Sequence, residues 1–222
     1  VGLQVNDNAF LIGFVGRLDP DQKGLDLIEG AWQRVKSKDV QMVLLGTGDP
    51  EWEGVFEKMG RKFANFSAHI KFDKTLARRI FAGCDALVMP SKYEPCGLPQ
   101  MMAMRYGTVP VVHNVGGLKD TVKEGKNGFT FDKYKSKSFA AALERARATF
   151  VLSQKGGEGK KLSFKEQSQS LALGNSPPFT RWNNLVHSGM TADFSWSHSA
   201  KKYLELYREA LGYRFGVKSG TS

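Results

Sequence analysis

Apolar and polar positions along this chain alternate between two periods. Residues 10–16 form a short apolar run bounded by Asn6-Asp7-Asn8 and a glycine, which is the length and flanking of a buried strand. From Leu25 the apolar residues Ile28, Trp32 and Val35 recur at helical spacing, and Lys36 with Lys38 suits a helix C-terminus. The same reading predicts a strand at 40–45, the turn Gly46-Thr47-Gly48-Asp49-Pro50, a helix over 51–66, a strand at 69–72, a helix over 76–82 and a strand at 86–89. A helix over 98–106, a strand at 109–112, a short helix from about Leu118 and a strand at 128–131 follow. Six short apolar strands alternating with helices predict an α/β fold: a parallel sheet of about six strands with helices on both faces.

Beyond Phe131 the pattern changes. Phe139, Leu143, Ala146 and Phe150 make a helical stripe, but 153–178 is rich in Ser, Gly, Lys and Gln and reads as a mobile insertion. Helical spacing resumes through Trp182, Leu185, Val186 and Met190, and again through Ala200, Tyr203, Leu204, Tyr207 and Leu211, with Ser195 or Ser197 as the cap of the last helix. The expected organisation is therefore a nucleotide-binding α/β domain over 1–152, the insertion, C-terminal helices over 179–215 completing the domain, and a frayed tail at 216–222. Trp32, Trp182 and Trp196 fall on apolar stripes or helix entries and count as core.

Composition narrows this picture only in part. At 222 residues and 41% hydrophobic, the chain is large enough to bury a substantial core. A formal charge of +10 attracts anions, but nucleic acid, membrane surface, nucleoside diphosphate and acidic proteins all qualify. Lys155, Lys160, Lys161 and Lys165 lack aromatic interleaving apart from Phe164, so they read as a solvated loop and not as a nucleic-acid surface. Cys84 and Cys96 have no metal-ligand spacing and are too few to staple the domain, which favours a reducing compartment. No apolar run reaches membrane-span length, and no signal-peptide pattern opens the chain. It starts without a methionine and almost at once on a strand, so it reads as a fragment with any targeting segment upstream.

Candidate chemistry collects at predicted strand ends, where open parallel sheets bind ligands. After the first strand, Gly16-Arg17-Leu18-Asp19 and Gln22-Lys23-Gly24 place two cations beside glycines that permit close backbone approach. Arg17 and Lys23 can neutralise a leaving diphosphate; each alone is equally an exposed basic residue. After the fourth strand comes Ser91-Lys92-Tyr93-Glu94-Pro95-Cys96-Gly97-Leu98-Pro99-Gln100, where Glu94 and the amides beyond Cys96 can hold neighbouring sugar hydroxyls or form a plain acidic loop. Tyr93 can stack on a ring. Cys96 reads as a packing residue, since no histidine lies near it in sequence to activate it. After the fifth strand, Gly116-Gly117 before Leu118 either aims amides at a phosphate or makes a turn. His113, ending that strand, reads as a satisfied structural histidine.

Taken together in this order, these runs resemble the C-terminal half of a starch or glycogen synthase. Tyr106-Gly107-Thr108-Val109-Pro110, Gly116-Gly117-Leu118-Lys119-Asp120-Thr121-Val122 and Phe194-Ser195-Trp196 extend the resemblance over nearly the whole chain. It implies the donor-binding, Rossmann-like half of a GT-B fold. The implied reaction moves glucose from ADP-glucose, or UDP-glucose, to the non-reducing end of an α-1,4-glucan with retention, and without a metal or cofactor. The implied partners are the nucleotide sugar, the glucan and an N-terminal domain outside this chain. By matching motif, Arg17 and Lys23 would bind the diphosphate and Glu94 would hold the glucosyl group or stabilise its transition state. Gly16, Cys96, Gly97, Leu98, Gly116, Gly117 and Leu118 would line the donor site. Val115 stands where many relatives have threonine. Related transferases with paired acids carry a second glutamate eight positions after the first, where this chain has Met102. The resemblance implies a plastid location for a plant or algal member and a cytoplasmic one otherwise.

Overall fold

The computed structural model describes residues 2–37, 39–155 and 181–215. Contacts divide the chain into two units, Val1–Met190 and Thr191–Ser222. The first holds a six-stranded sheet in the order β3-β2-β1-β4-β5-β6, with every neighbouring pair parallel. Its strands are β1 (Phe10–Val15), β2 (Val40–Gly46), β3 (Phe66–Ile70), β4 (Ala86–Met89), β5 (Val109–His113) and β6 (Phe129–Phe131). They alternate with helices α1 (Leu25–Val35), α2 (Pro50–Lys62), α3 (Lys74–Gly83), α4 (Pro99–Arg105), α5 (Gly116–Thr121) and α6 (Ser136–Lys155), and α7 (Arg181–Thr191) follows.

Alternation along the strands sends side chains to two separate cores. Phe10, Ile12 and Phe14 of β1 bury against Ile28 and Trp32 of α1, Phe139 and Phe150 of α6 and Trp182 of α7. On the other face Val43, Leu45 and Leu87 pack with Ile80 and Phe81 of α3 and Ala103 of α4. Helices thus cover both faces, which explains why strands such as β2 are buried at every position.

The largest departure from the sequence reading lies around β3. The helix predicted over 51–66 stops at Lys62, and the strand predicted at 69–72 starts at Phe66. Phe63 and Phe66 continue the apolar spacing of α2, but Asn65 donates to Ser37 O at 3.0 Å and Val40 O at 2.8 Å and ties the chain to the start of β2. Phe66 then pairs with Met42. The consequence is that Phe72 lies in the β3–α3 loop and is 80% exposed.

Two smaller differences concern helix starts. The short helix expected from Leu118 begins at Gly116, and α4 begins at Pro99 with Leu98 as its N-cap. At α2 the turn residue Asp49 accepts from the amides of Glu51 and Trp52, with Pro50 at the first helical position. Asp49→Ala should cost about 1 kcal/mol, read in calorimetry as a melting midpoint roughly 2–4 °C lower. An unchanged midpoint would remove the cap from the account.

Trp32 and Trp182 are core, as expected, whereas Trp196 is 72% exposed. It opens α8 (Trp196–Phe215), immediately after Ser195, in the second unit. Its helical spacing is real, but the stripe it shares with Tyr203 and Tyr207 is exposed, with ring centroids 5.6 Å and 6.2 Å apart along the row. The expected insertion falls outside the described residues from 156 onward, together with Lys160, Lys161 and Lys165, as does the tail at 216–222. No helix among the described residues is long and apolar enough to cross a membrane.

Candidate functional site

The sheet order reverses between β1 and β4, because the chain builds outward from β1 to β3 and then returns to add β4 to β6 on the other side. Such a reversal, at the carboxyl ends of β1 and β4, is where open parallel sheets bind ligands. Two of the three motif-bearing loops leave from those two strands, and the third leaves from β5 beside them.

The β1–α1 turn carries Gly16, Arg17, Lys23 and Gly24. Gly24 has φ 66°, and a methyl group on it would lie 2.1 Å from Pro90 O. Only a glycine fits this left-handed position, and its bare backbone lets the turn close onto the exit of β4. That closure brings Lys23 to Glu94 across 71 residues of sequence: Nζ lies 2.7 Å from Oε2. The pair is largely shielded, with side-chain exposures of 16% for Lys23 and 8% for Glu94. Ser91 Oγ donates to the same carboxylate oxygen at 3.3 Å. An ammonium has three N–H donors, so one held by Glu94 leaves two for a phosphate.

Arg17 is the more open cation. Its Nη2 donates to Gln22 Oε1 at 3.0 Å and lies 3.7 Å from Asp19 Oδ2, with the side chain 72% exposed. Gly16 continues from β1 through its amide, bonded to Leu45 O.

The second loop is clasped by α5. A methyl group on Gly116 would lie 2.2 Å from Glu94 O, and one on Gly117 would lie 2.4 Å from Cys96 Cα and O. Gly117 N–H donates to Glu94 O at 2.8 Å and Leu118 N–H to Val115 O at 3.1 Å. Gly116 and Gly117 therefore serve first to let two backbones touch, and the Gly117 and Leu118 amides are already engaged. Leu118 is buried. Val115 is the N-cap of α5 and makes no side-chain cap, so the hydroxyl missing there is also a missing helix cap.

Cys96 and Leu98 are exposed, with Leu98 57% accessible beside Tyr93 at 54%. Gly97 lies between them against Gln100, a residue the motif reading passed over. Gln100 is fully buried, and its Nε2 donates to Cys96 O, Gly97 O and Thr121 Oγ1 at 3.1, 2.9 and 3.1 Å. It ties the loop to α5, while its Oε1 has no hydrogen-bond partner. A polar residue on the buried side of a short helix was the available signal.

His113 is buried with Nδ1 2.8 Å from Ser91 O, in keeping with a satisfied structural histidine, and Nε2 faces Asp132 O at 3.3 Å. Neighbouring Tyr134 donates to Asp26 Oδ1 at 2.7 Å, and burial first, then that carboxylate, push its hydroxyl well above the usual tyrosine range. No group of three or more His, Cys, Asp or Glu placed to hold a metal occurs among the described residues.

Phe72 was also missed. It stands at the carboxyl end of β3, with Lys74 Nζ 5.9 Å from its ring. At the usual inter-strand spacing, the step from β3 across β2 and β1 to β4 is about 14 Å, on the scale of an extended nucleoside diphosphate sugar.

Residues 9–148 match the family described as Glycosyl transferases group 1. The chain is 41% identical over 218 residues to a glycogen synthase of Kosmotoga olearia, covering 95% of this chain and 40% of that protein. With a glycogen synthase of Thermotoga maritima the identity is 39% over 218 residues, at the same coverages. Among solved structures it is similar to the catalytic domain of Starch Synthase IV from Arabidopsis thaliana bound to ADP and acarbose. That similarity has a TM-score of 0.72 and 33% identity, and covers 95% of this chain and 40% of that one. The chain thus spans about 40% of the length of the curated relatives it matches.

Proposed function

Because the chain belongs to the glycosyl transferases group 1 family, we propose that it is the donor-binding half of a retaining α-1,4-glucan synthase. The donor is ADP-glucose or UDP-glucose, and the acceptor is the non-reducing end of a starch or glycogen chain. One observation carries this reading: Lys23 and Glu94 meet at 2.7 Å at the point where the sheet order reverses. Breaking a glucosyl–phosphate bond leaves negative charge on the diphosphate and positive charge at the anomeric carbon. A cation and an anion fixed side by side answer both at once. Lys23, with Arg17 on the open rim, takes the diphosphate, and Glu94 faces the sugar. Cys96, Gly97 and Leu98 line its approach, with Gly116, Gly117 and Leu118 behind them. The names of the glycogen synthase relatives support the acceptor class, and the ADP bound to the Arabidopsis enzyme supports the donor class. The acceptor groove belongs to the remaining length of the protein.

Phe72 gives the base end of the donor an exposed ring to lie on. The test is a transfer assay on the full-length protein with ADP-glucose or UDP-glucose and a glucan primer, reading primer elongation and its sensitivity to an α-1,4-specific hydrolase. No elongation with either donor would overturn the proposal. In the same assay Phe72→Ala should weaken nucleotide binding about ten- to a hundredfold. Its melting midpoint should not move, because the ring is already 80% exposed.

A further inference from the structure

His113 ends β5 and is 4% exposed. Its Nδ1 lies 2.8 Å from Ser91 O and its Nε2 3.3 Å from Asp132 O. Ser91 O is an acceptor, so the ring nitrogen at the shorter contact, Nδ1, carries a hydrogen and donates to it. The other side of the same peptide unit is also held, since Lys92 N–H donates to Gln22 O at 2.8 Å. The Ser91–Lys92 peptide is therefore clamped between β5 and the β1–α1 turn.

That peptide sits where the two halves of the proposed site join. Gln22, which accepts from Lys92 N–H, also accepts from Arg17 through its side chain and precedes Lys23. Ser91, whose carbonyl His113 holds, donates through Oγ to Glu94 Oε2. A tilt of this one peptide would move the cations relative to the acid. The ring plane of His113 is itself fixed, stacked on Phe131 with centroids 5.0 Å apart and flanked by Tyr134 at 5.6 Å.

We propose that His113 is a positioning residue for Glu94: its Nδ1–H holds the Ser91–Lys92 peptide and so sets the carboxylate against the Arg17–Lys23 turn. The geometric claim stands by itself, and its functional consequence rests on the donor-binding reading. His113 touches neither Glu94 nor Lys23 directly, so it acts only through this peptide.

Two substitutions separate the hydrogen bond from the packing. His113→Asn keeps an N–H donor at the Nδ1 position and discards the ring, while His113→Phe keeps a ring against Phe131 and discards the donor. Both are made in the full-length protein, and amide exchange at Lys92 is followed without nucleotide. Exchange should stay within about threefold of the parent in the asparagine variant and rise about tenfold in the phenylalanine variant. In the second variant, preference for the glucose-bearing nucleotide over the bare diphosphate should fall by a similar factor, with affinity for the bare diphosphate unchanged. The reverse order in exchange, or equal exchange in the two variants, would overturn the proposal. If the parent protein shows no preference for the glucose-bearing nucleotide, the donor reading fails, and the exchange result still decides the role of His113.

Discussion

Replacing Glu94 with glutamine in the full-length protein is expected to slow glucosyl transfer about 10²- to 10³-fold, with affinity for the bare nucleoside diphosphate held within about threefold. The carboxamide keeps the shape of the side chain and can still accept from Ser91 Oγ and Lys23 Nζ, which contact the same oxygen in the native protein. Only the charge is removed. If Glu94 answers the positive charge that grows at the anomeric carbon, that loss acts on the transition state and not on the ground state. Truncation to alanine is the less informative change, because it takes from Lys23, at 16% side-chain exposure, the hydrogen-bond acceptor and the packing as well as the counter-charge. Losing one member of such a shielded pair costs up to about 3 kcal/mol, and reduced activity would then mix catalysis with folding. Initial rates with either glucose nucleotide and calorimetric titration of ADP or UDP separate the two terms. Transfer by the glutamine variant within about threefold of the parent would remove Glu94 from the chemistry.

Why the sequence led to Lys23 and Glu94 is a matter of topology. The apolar runs were short, β-like and regularly interleaved with helical stripes, so the parallel sheet followed from periodicity. Placing motif loops at carboxyl strand ends then followed from the sheet. What periodicity could not supply was strand order, and it is the reversal between β1 and β4 that turns two loops into one site. The glycines were legible as positions of close approach, and in the structure Gly116 and Gly117 approach the Glu94–Cys96 backbone. Phe72 was hidden because it extends the apolar run through Ile70, and only the Asn65 contacts that draw β3 forward by three residues expose it. Gln100 was passed over, and His113 was read only as a satisfied histidine, for a different reason. Their work is done on main-chain carbonyls, and no residue type in the sequence names such a partner.

Gly117→Ala should be among the most damaging single changes in the first unit, although it adds only a methyl group. That methyl would lie 2.4 Å from Cys96 Cα and 2.4 Å from Cys96 O, and both are backbone atoms with no rotamer to change. Relief requires α5 or the Glu94–Cys96 segment to move, and either motion pulls on Gly117 N–H···O Glu94 at 2.8 Å. Overlap with main chain, unlike overlap with a flexible side-chain end, is expected to cost about 3 kcal/mol. In a domain of this size that is a melting midpoint lower by roughly 6–12 °C. The proper control is Gly54→Ala on α2, where an added methyl meets nothing within 4 Å. It should be neutral or stabilising by about 0.5–1 kcal/mol, since alanine is the better helix former. Nucleotide-sugar affinity measured well below both midpoints should drop at least about tenfold for Gly117→Ala and stay unchanged for Gly54→Ala. A Gly117→Ala protein that melts and binds like the Gly54→Ala protein would mean that the Glu94–Cys96 segment can slide away from α5 at no cost. In that case the clasp would not be what holds Glu94 beside Lys23.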